Sequence, residues 1–186
     1  TTDLLPPESE AIRTYLDAGG KVLFLLDPPA TSDAPELSNV SALIGEWGIE
    51  VGHNVVVDAS GIGQLIGTDA SVPVAATYPP HAITDRFNLL TAFPLARSVK
   101  PATAAPSGRV AETFVETSPR SWAESDPSEL TSGEVELEED EGDGPGPISI
   151  GVAVGRPRSA RAPDRTLISI REGPRPASLA SSTSFS

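Results

Sequence analysis

Cysteine and methionine are both missing from the 186 residues, and histidine occurs only as His53 and His81. Without a thiol there is no disulfide, no thiolate metal site and no cysteine nucleophile. No apolar run approaches the roughly 18–20 residues that span a bilayer, and no basic-then-apolar leader opens the chain. Basic residues are scarce, thirteen against twenty-six acids, for a formal net charge of −13. A field of that sign repels phosphate backbones, which argues against nucleic acid as a partner. The start at "TTDLLPP", with no initiator Met, suggests a piece of a longer protein, with any membrane anchor outside it.

The charge that is present is unevenly placed. Residues 126–143 carry nine carboxylates and no Lys or Arg, whereas residues 156–175 carry six arginines and two acids. The first run reads as a solvated, flexible loop over 126–146. The second suits pairing with the first, or contact with anionic headgroups if the chain sits near a bilayer.

Periodicity is clearest at the start. In "LLPPESEAIRTYLDAGGKVLFLLDPP", Pro6 and Pro7 suit a helix entry and Glu8 and Glu10 suit its positive end. Leu5, Ile12, Tyr15 and Leu16 recur at helical spacing, and Gly19 and Gly20 stop the helix. "KVLFLLD" is apolar on both faces, the pattern of a central parallel strand covered by helices. A second unit repeats the order: Leu37, Val40, Leu43, Ile44 and Trp47 share a helical face, Gly48 stops it, and "NVVVD" follows as a short buried strand. Helix–strand–helix–strand predicts an α/β fold, a mostly parallel sheet with helices packed on it. Further strands are expected in "GIGQLIG", "VPVAAT", "FPLARSV", "RVAETFVETS" and "GPISIGVAVG", with "DRTLISI" as the last. One domain over 1–171 results, and the Ser-rich tail 172–186 has little to bury and is expected to be disordered.

Chemistry-bearing residues concentrate in "ETSPRSWAES", residues 116–125, which holds Ser118, Arg120, Ser121 and one of two tryptophans, Trp122. A serine hydrolase of α/β type needs an exposed hydroxyl on a glycine-flanked elbow. Here Pro119 and bulky neighbours stand where glycines would, so no catalytic residue is assigned. The rival is a hydrolase or amidase using Ser118 or Ser121 with His81 as base. Trp122 reads first as a structural corner and second as a stacking platform for a sugar or peptide. Asp27 closes the apolar strand, where open α/β sheets place ligands, although "DPP" equally turns the chain. The acidic run lacks the alternation of a calcium loop, and "GIGQLIG" lacks a helix-opening phosphate fingerprint. No metal site and no cofactor are therefore expected. The candidate binding residues are Asp27, His81, Ser118, Arg120, Ser121 and Trp122, for a partner segment, a peptide or a glycan.

An ordered set of segments resembles one family. "GGKVLFLLDP", "HAIT", "FPLARSV", "ETSPRSWAE" and "DGPGPISIGVAV" follow the order found in the auxiliary domain of ABC-type transport systems, the gliding-motility GldG-like group included. The resemblance covers roughly residues 4–170. It implies a three-layer, flavodoxin-like or class I glutamine-amidotransferase-like domain on the extracytoplasmic side of the cell membrane. It further implies an ABC permease and its ATPase as partners, and a non-catalytic role. A related domain serves as an assembly module in intraflagellar-transport proteins. The family pattern has a strand ahead of "TTDLLPP" and ends in a "GDSDF"-like turn that this chain replaces.

Overall fold

The computed structural model describes residues 2–155, apart from Ile66, Ala76, Ala105, Ser107 and residues 133–135. "DRTLISI" and the Ser-rich tail lie outside the described residues. The elements run α1 (Pro6–Asp17), α2 (Ser38–Gly45), β1 (Ile49–Val51), β2 (Val55–Asp58), α3 (Ile62–Leu65), β3 (Val74–Ala75), β4 (Thr91–Ala92) and β5 (Val99–Pro101). They continue as β6 (Val110–Glu116), β7 (Ser121–Glu124), α4 (Glu129–Ser132), a 3-10 turn (Glu139–Glu141), β8 (Gly144–Pro145) and β9 (Ser149–Gly155).

The first helix forms as its sequence dictates. Pro6 occupies the first position, and the Glu8 carboxylate accepts the Leu5 N–H at 2.8 Å. At the other end Gly20 N–H donates to Tyr15 O and Gly19 N–H to Leu16 O, both at 2.9 Å, with Gly19 at φ +92°. That is the paired closure a left-handed glycine permits. α2 has no capping side chain of its own. Asp3 supplies one from a distance, accepting the N–H groups of Asn39 (2.9 Å) and Val40 (3.1 Å). These three bonds to backbone, with Leu4 N–H included, hold the Asp3 carboxyl below its ordinary range despite partial burial.

The sheet architecture departs from expectation. Among the described residues every strand pair is antiparallel, in four small sheets: β1–β5, β2–β7–β8, β3–β4 and β6–β9. Among the described residues no mostly parallel, three-layer, flavodoxin-like or amidotransferase-like sheet forms. "KVLFLLD" is extended yet joins no ladder, and Leu23 and Leu25 are 79% and 83% exposed. A run apolar on both faces becomes a central strand only where neighbours flank it on each edge, and among the described residues no strand pairs with it. The helices also pack on each other, Arg13 of α1 reaching Glu46 beyond α2 at 2.7 Å. "GIGQLIG" forms the short helix α3 rather than a strand, and "FPLARSV" contributes only its final Val99 to β5.

The core sits instead around β2. Val55, Val56 and Val57 are at most 1% exposed, and β7 lies antiparallel to them with Val57 opposite Trp122 and Asp58 opposite Ser121. Val56 and Ala123 pack with Ile148, just before β9, and with Ile150 within it. β9 pairs along β6, with register shifts around Val115 that leave Phe114 out of the ladder. The Phe114 ring lies 5.6 Å from His81. Gly146 lies where β8 leads into β9, and a Cβ there would come within 2.3 Å of the Ser121 carbonyl oxygen. A side chain cannot be accommodated against backbone at that spacing.

Candidate functional site: a buried hydroxyl and carboxylate corner

The stretch between β6 and β7 turns sharply because Pro119 presets φ at the second position of a four-residue turn. Ser121 N–H donates to Ser118 O at 3.2 Å to close it, and Arg120 N–H donates to the Ser118 hydroxyl at 3.2 Å. The Ser118 hydroxyl itself donates to Asp58 Oδ1 at 2.8 Å. Ser121 Oγ donates to Ser118 O at 2.7 Å and shares a hydrogen bond with Thr117 Oγ1. Thr117 Oγ1 in turn accepts Ile148 N–H at 2.9 Å. A chain of hydroxyls thus fastens the corner to Ile148, the residue that leads into β9.

Asp58 is the hub. Its Oδ1 also accepts Ser60 N–H at 2.9 Å, and its Oδ2 accepts Val74 N–H at 3.2 Å. Burial works to raise this carboxyl, but the donors from Ser60, Ser118 and Val74 together outweigh it and hold the pKa below the ordinary aspartate range. Asp58 ties β2, the corner and β3 through three donors.

A second buried carboxylate lies on the same strand as the indole. Trp122 and Glu124 are two residues apart and so face one side of β7. The indole N–H donates to Glu124 Oε2 at 3.1 Å, and Asp126 N–H donates to Oε1 at 2.9 Å. Asp143 stands close, accepting Ser125 N–H (2.9 Å) and Glu138 N–H (3.0 Å), so residues at both ends of the acidic run are drawn into the fold. Burial pushes the Glu124 carboxyl up, the charges of Asp143 and Glu129 add to that, and the two hydrogen bonds only partly offset it.

A titration follows from this arrangement. With Trp47→Phe leaving Trp122 as the lone indole, its emission should titrate with a midpoint above the ordinary glutamate range, and Glu124→Gln should abolish the step. Because the folded pKa is raised, Glu124 favours the fold most fully below the ordinary range, and that contribution is lost as pH rises through the raised value. A midpoint at or below the ordinary range would show that burial does not govern this group.

The sequence-nominated residues divide into three places. Ser118, Arg120, Ser121 and Trp122 form the corner and the strand leaving it; Arg120 is exposed, while Ser121 and Trp122 are only 3% and 7% exposed. Asp27 ends the extended segment, where its carbonyl oxygen accepts Arg97 Nη1 at 3.1 Å. The buried Arg97 also donates Nε to Gly52 O at 2.8 Å. His81 belongs to the loop 77–88, where an open groove of about 750 Å³ is lined by Tyr78, Pro80, Arg86 and Phe87 among others. Its Nδ1 accepts Ile83 N–H at 3.0 Å. Among the described residues, neither histidine makes a hydrogen bond to the corner, and no group of three or more His, Asp or Glu is placed to hold a metal ion.

Asp58 and Glu124 carry the network, yet neither stood out as a site residue in the sequence. The available signal was position: an acid closing an all-valine strand, and an acid two residues after a Trp. Charges placed in otherwise apolar strands are buried only when hydrogen-bonded.

The chain matches one family, an ABC-type uncharacterized transport system, over residues 1–182. The chain belongs to that family. Membership associates it with an ABC transport system, and thereby with a membrane; among the described residues no helix is long and apolar enough to cross one. No curated protein matches the chain. A solved structure titled "mmIFT52 N-terminal domain" is similar at a TM-score of 0.50 and 19% identity, covering 64% of this chain and 52% of that one. The likeness is one of fold, and this chain spans about half of that chain's length.

Proposed function

We propose that this chain is a non-catalytic auxiliary domain of an ABC-type export system, of the gliding-related GldG-like kind, working on the extracytoplasmic side by binding partner proteins. The partners in this reading are the permease and ATPase subunits of the same system. Membership of the transport-system family supports the association. The observation that carries the non-catalytic role is the inward commitment of both serine hydroxyls. Ser121 is buried against Thr117, and Ser118 donates to Asp58, whose lowered pKa makes it a weak base. Trp122 offers no open face to a sugar, since its indole is buried and its N–H is bound to Glu124. Of the residues nominated from the sequence, this reading assigns the partner to the His81 groove and the segment ending at Asp27.

The test is co-purification from membranes with the permease and ATPase. The unmodified chain should bring both down, and His81→Ala with Asp27→Ala should reduce recovery several-fold with an unchanged unfolding midpoint. Recovery unaffected by the double substitution would remove the proposed surface. A serine-reactive fluorophosphonate should leave Ser118 and Ser121 unlabelled; stoichiometric labelling of either would establish the hydrolase instead.

A further inference from the structure

Among the described residues β6 and β9 are the longest strands, seven residues each, yet they form a sheet of only two. A two-stranded ribbon is marginal in water until a third strand or a packed face supports it. β9 is the better covered of the pair: β5 packs chiefly against it, and only its last residue, Gly155, is exposed. β6 is more open, with Val110 44% exposed and Glu112 exposed as well. Its inner edge pairs with β9, and no backbone hydrogen bond from any other described segment reaches its outer edge. In an antiparallel ladder alternate residues turn their N–H and C=O groups away from the partner strand. Those groups of β6 form a template for strand addition. Phe114, left out of the ladder by the register shift, meets the His81 ring, so this strand borders the loop that lines the groove.

Charge decides what can pair there. Glu112 and Glu116 are the charged side chains of β6, and among the described residues neither carboxylate has an ion pair. A second copy adding along β6 would bring four glutamates onto one strand pair and join two chains of net charge −13, which opposes it. A segment bearing Lys or Arg meets the same carboxylates with opposite charge and is drawn in by the field of the whole chain. We propose that β6 accepts an extended, basic segment of a partner protein as a third strand, beside the His81 groove. The inference rests on the reading that this chain works by binding a partner, and adds the edge and the charge by which the partner is held. Main-chain bonds along β6 supply the affinity, and the two glutamates select the sign of the partner's side chains.

The test follows amide exchange in the full chain with two blocked synthetic peptides, one alternating lysine and valine, the other glutamate and valine. In the chain alone, alternate amides of Val110–Glu116 should exchange quickly. The lysine peptide should slow them about tenfold or more and leave β2 and β7 unchanged, whereas the glutamate peptide should not. Glu112→Lys with Glu116→Lys should reverse that preference, although the chain as a whole stays acidic, so attraction to net charge alone does not produce the result. N-methylation of alternate residues in the lysine peptide should abolish the protection, because it removes the ladder donors. Amides of β6 already protected along both edges in the chain alone would overturn the proposal. So would equal protection by the two peptides, or a preference that the double lysine variant leaves unchanged. Co-purification separates this inference from the reading beneath it. Recovery of the permease and ATPase that falls with His81→Ala and Asp27→Ala, but not with Glu112→Lys and Glu116→Lys, keeps the partner and removes the β6 edge; recovery that neither pair changes removes both.

Discussion

Replacing Trp122 by alanine is expected to lower the free energy of unfolding by about 3–5 kcal/mol, as for other large aromatics removed from a packed core. The indole is 7% exposed, sits opposite Val57 on one side and Pro145 on the other, and fills the middle strand of the only three-stranded sheet among the described residues. The loss has two parts. One is apolar contact with strands on both edges. The other is electrostatic, since Glu124 keeps its burial and its neighbour Asp143 but loses the N–H at 3.1 Å. Trp122→Phe separates them, for it restores most of the volume and none of the donor. Denaturant unfolding of the two variants should place phenylalanine between alanine and the unmodified chain, with the remaining deficit smaller at lower pH, where Glu124 is protonated more readily. A deficit for Trp122→Ala below about 1 kcal/mol, the size typical of surface changes, would mean that this residue is an accessible platform and not part of the core.

How much of this was legible beforehand depends on the range of the interaction. The α1 helix and its glycine stop follow from local rules, because Pro6, Glu8, Gly19 and Gly20 act on backbone groups within five residues. The face of α2 formed by Val40, Leu43 and Ile44, and the buried Val55–Asp58 strand, also followed from apolar spacing. Strand direction did not. Continuous apolar runs such as Lys21–Asp27 satisfy the pattern of a central parallel strand, but pairing is decided by segments far along the chain, and β2 found β7 some sixty residues later. The corner illustrates the same limit. Its residue types were visible, whereas Asp58 became its centre only because the turn at Pro119 and the backbone of Val74 arrive at the same carboxylate. Hydrogen bonds spanning 16 and 60 positions leave no mark in a local pattern.

Asp58→Ala is expected to cost about 2–4 kcal/mol, because it strands donors that the fold cannot re-partner at once, each worth about 1–3 kcal/mol when buried. The Val74 N–H is the most severe loss, being buried, while the Ser118 hydroxyl and Ser60 N–H lie where water has partial access. Asp58→Asn should fall in between, since an amide oxygen still accepts but its NH2 faces a donor. The pH dependence supplies the sharper test. The folded pKa of Asp58 is lowered, so its contribution is present above the ordinary aspartate range and is lost as pH falls through the folded value. The stability gap between the unmodified chain and Asp58→Ala should therefore be constant near neutrality and narrow progressively in acid. Ser118→Ala should reproduce only a minor part of the gap, because two backbone donors remain on the carboxylate. A gap that widened in acid would require Asp58 to be protonated in the folded protein, and the Ser118 hydroxyl would then accept from it, leaving that serine without a reason to point inward.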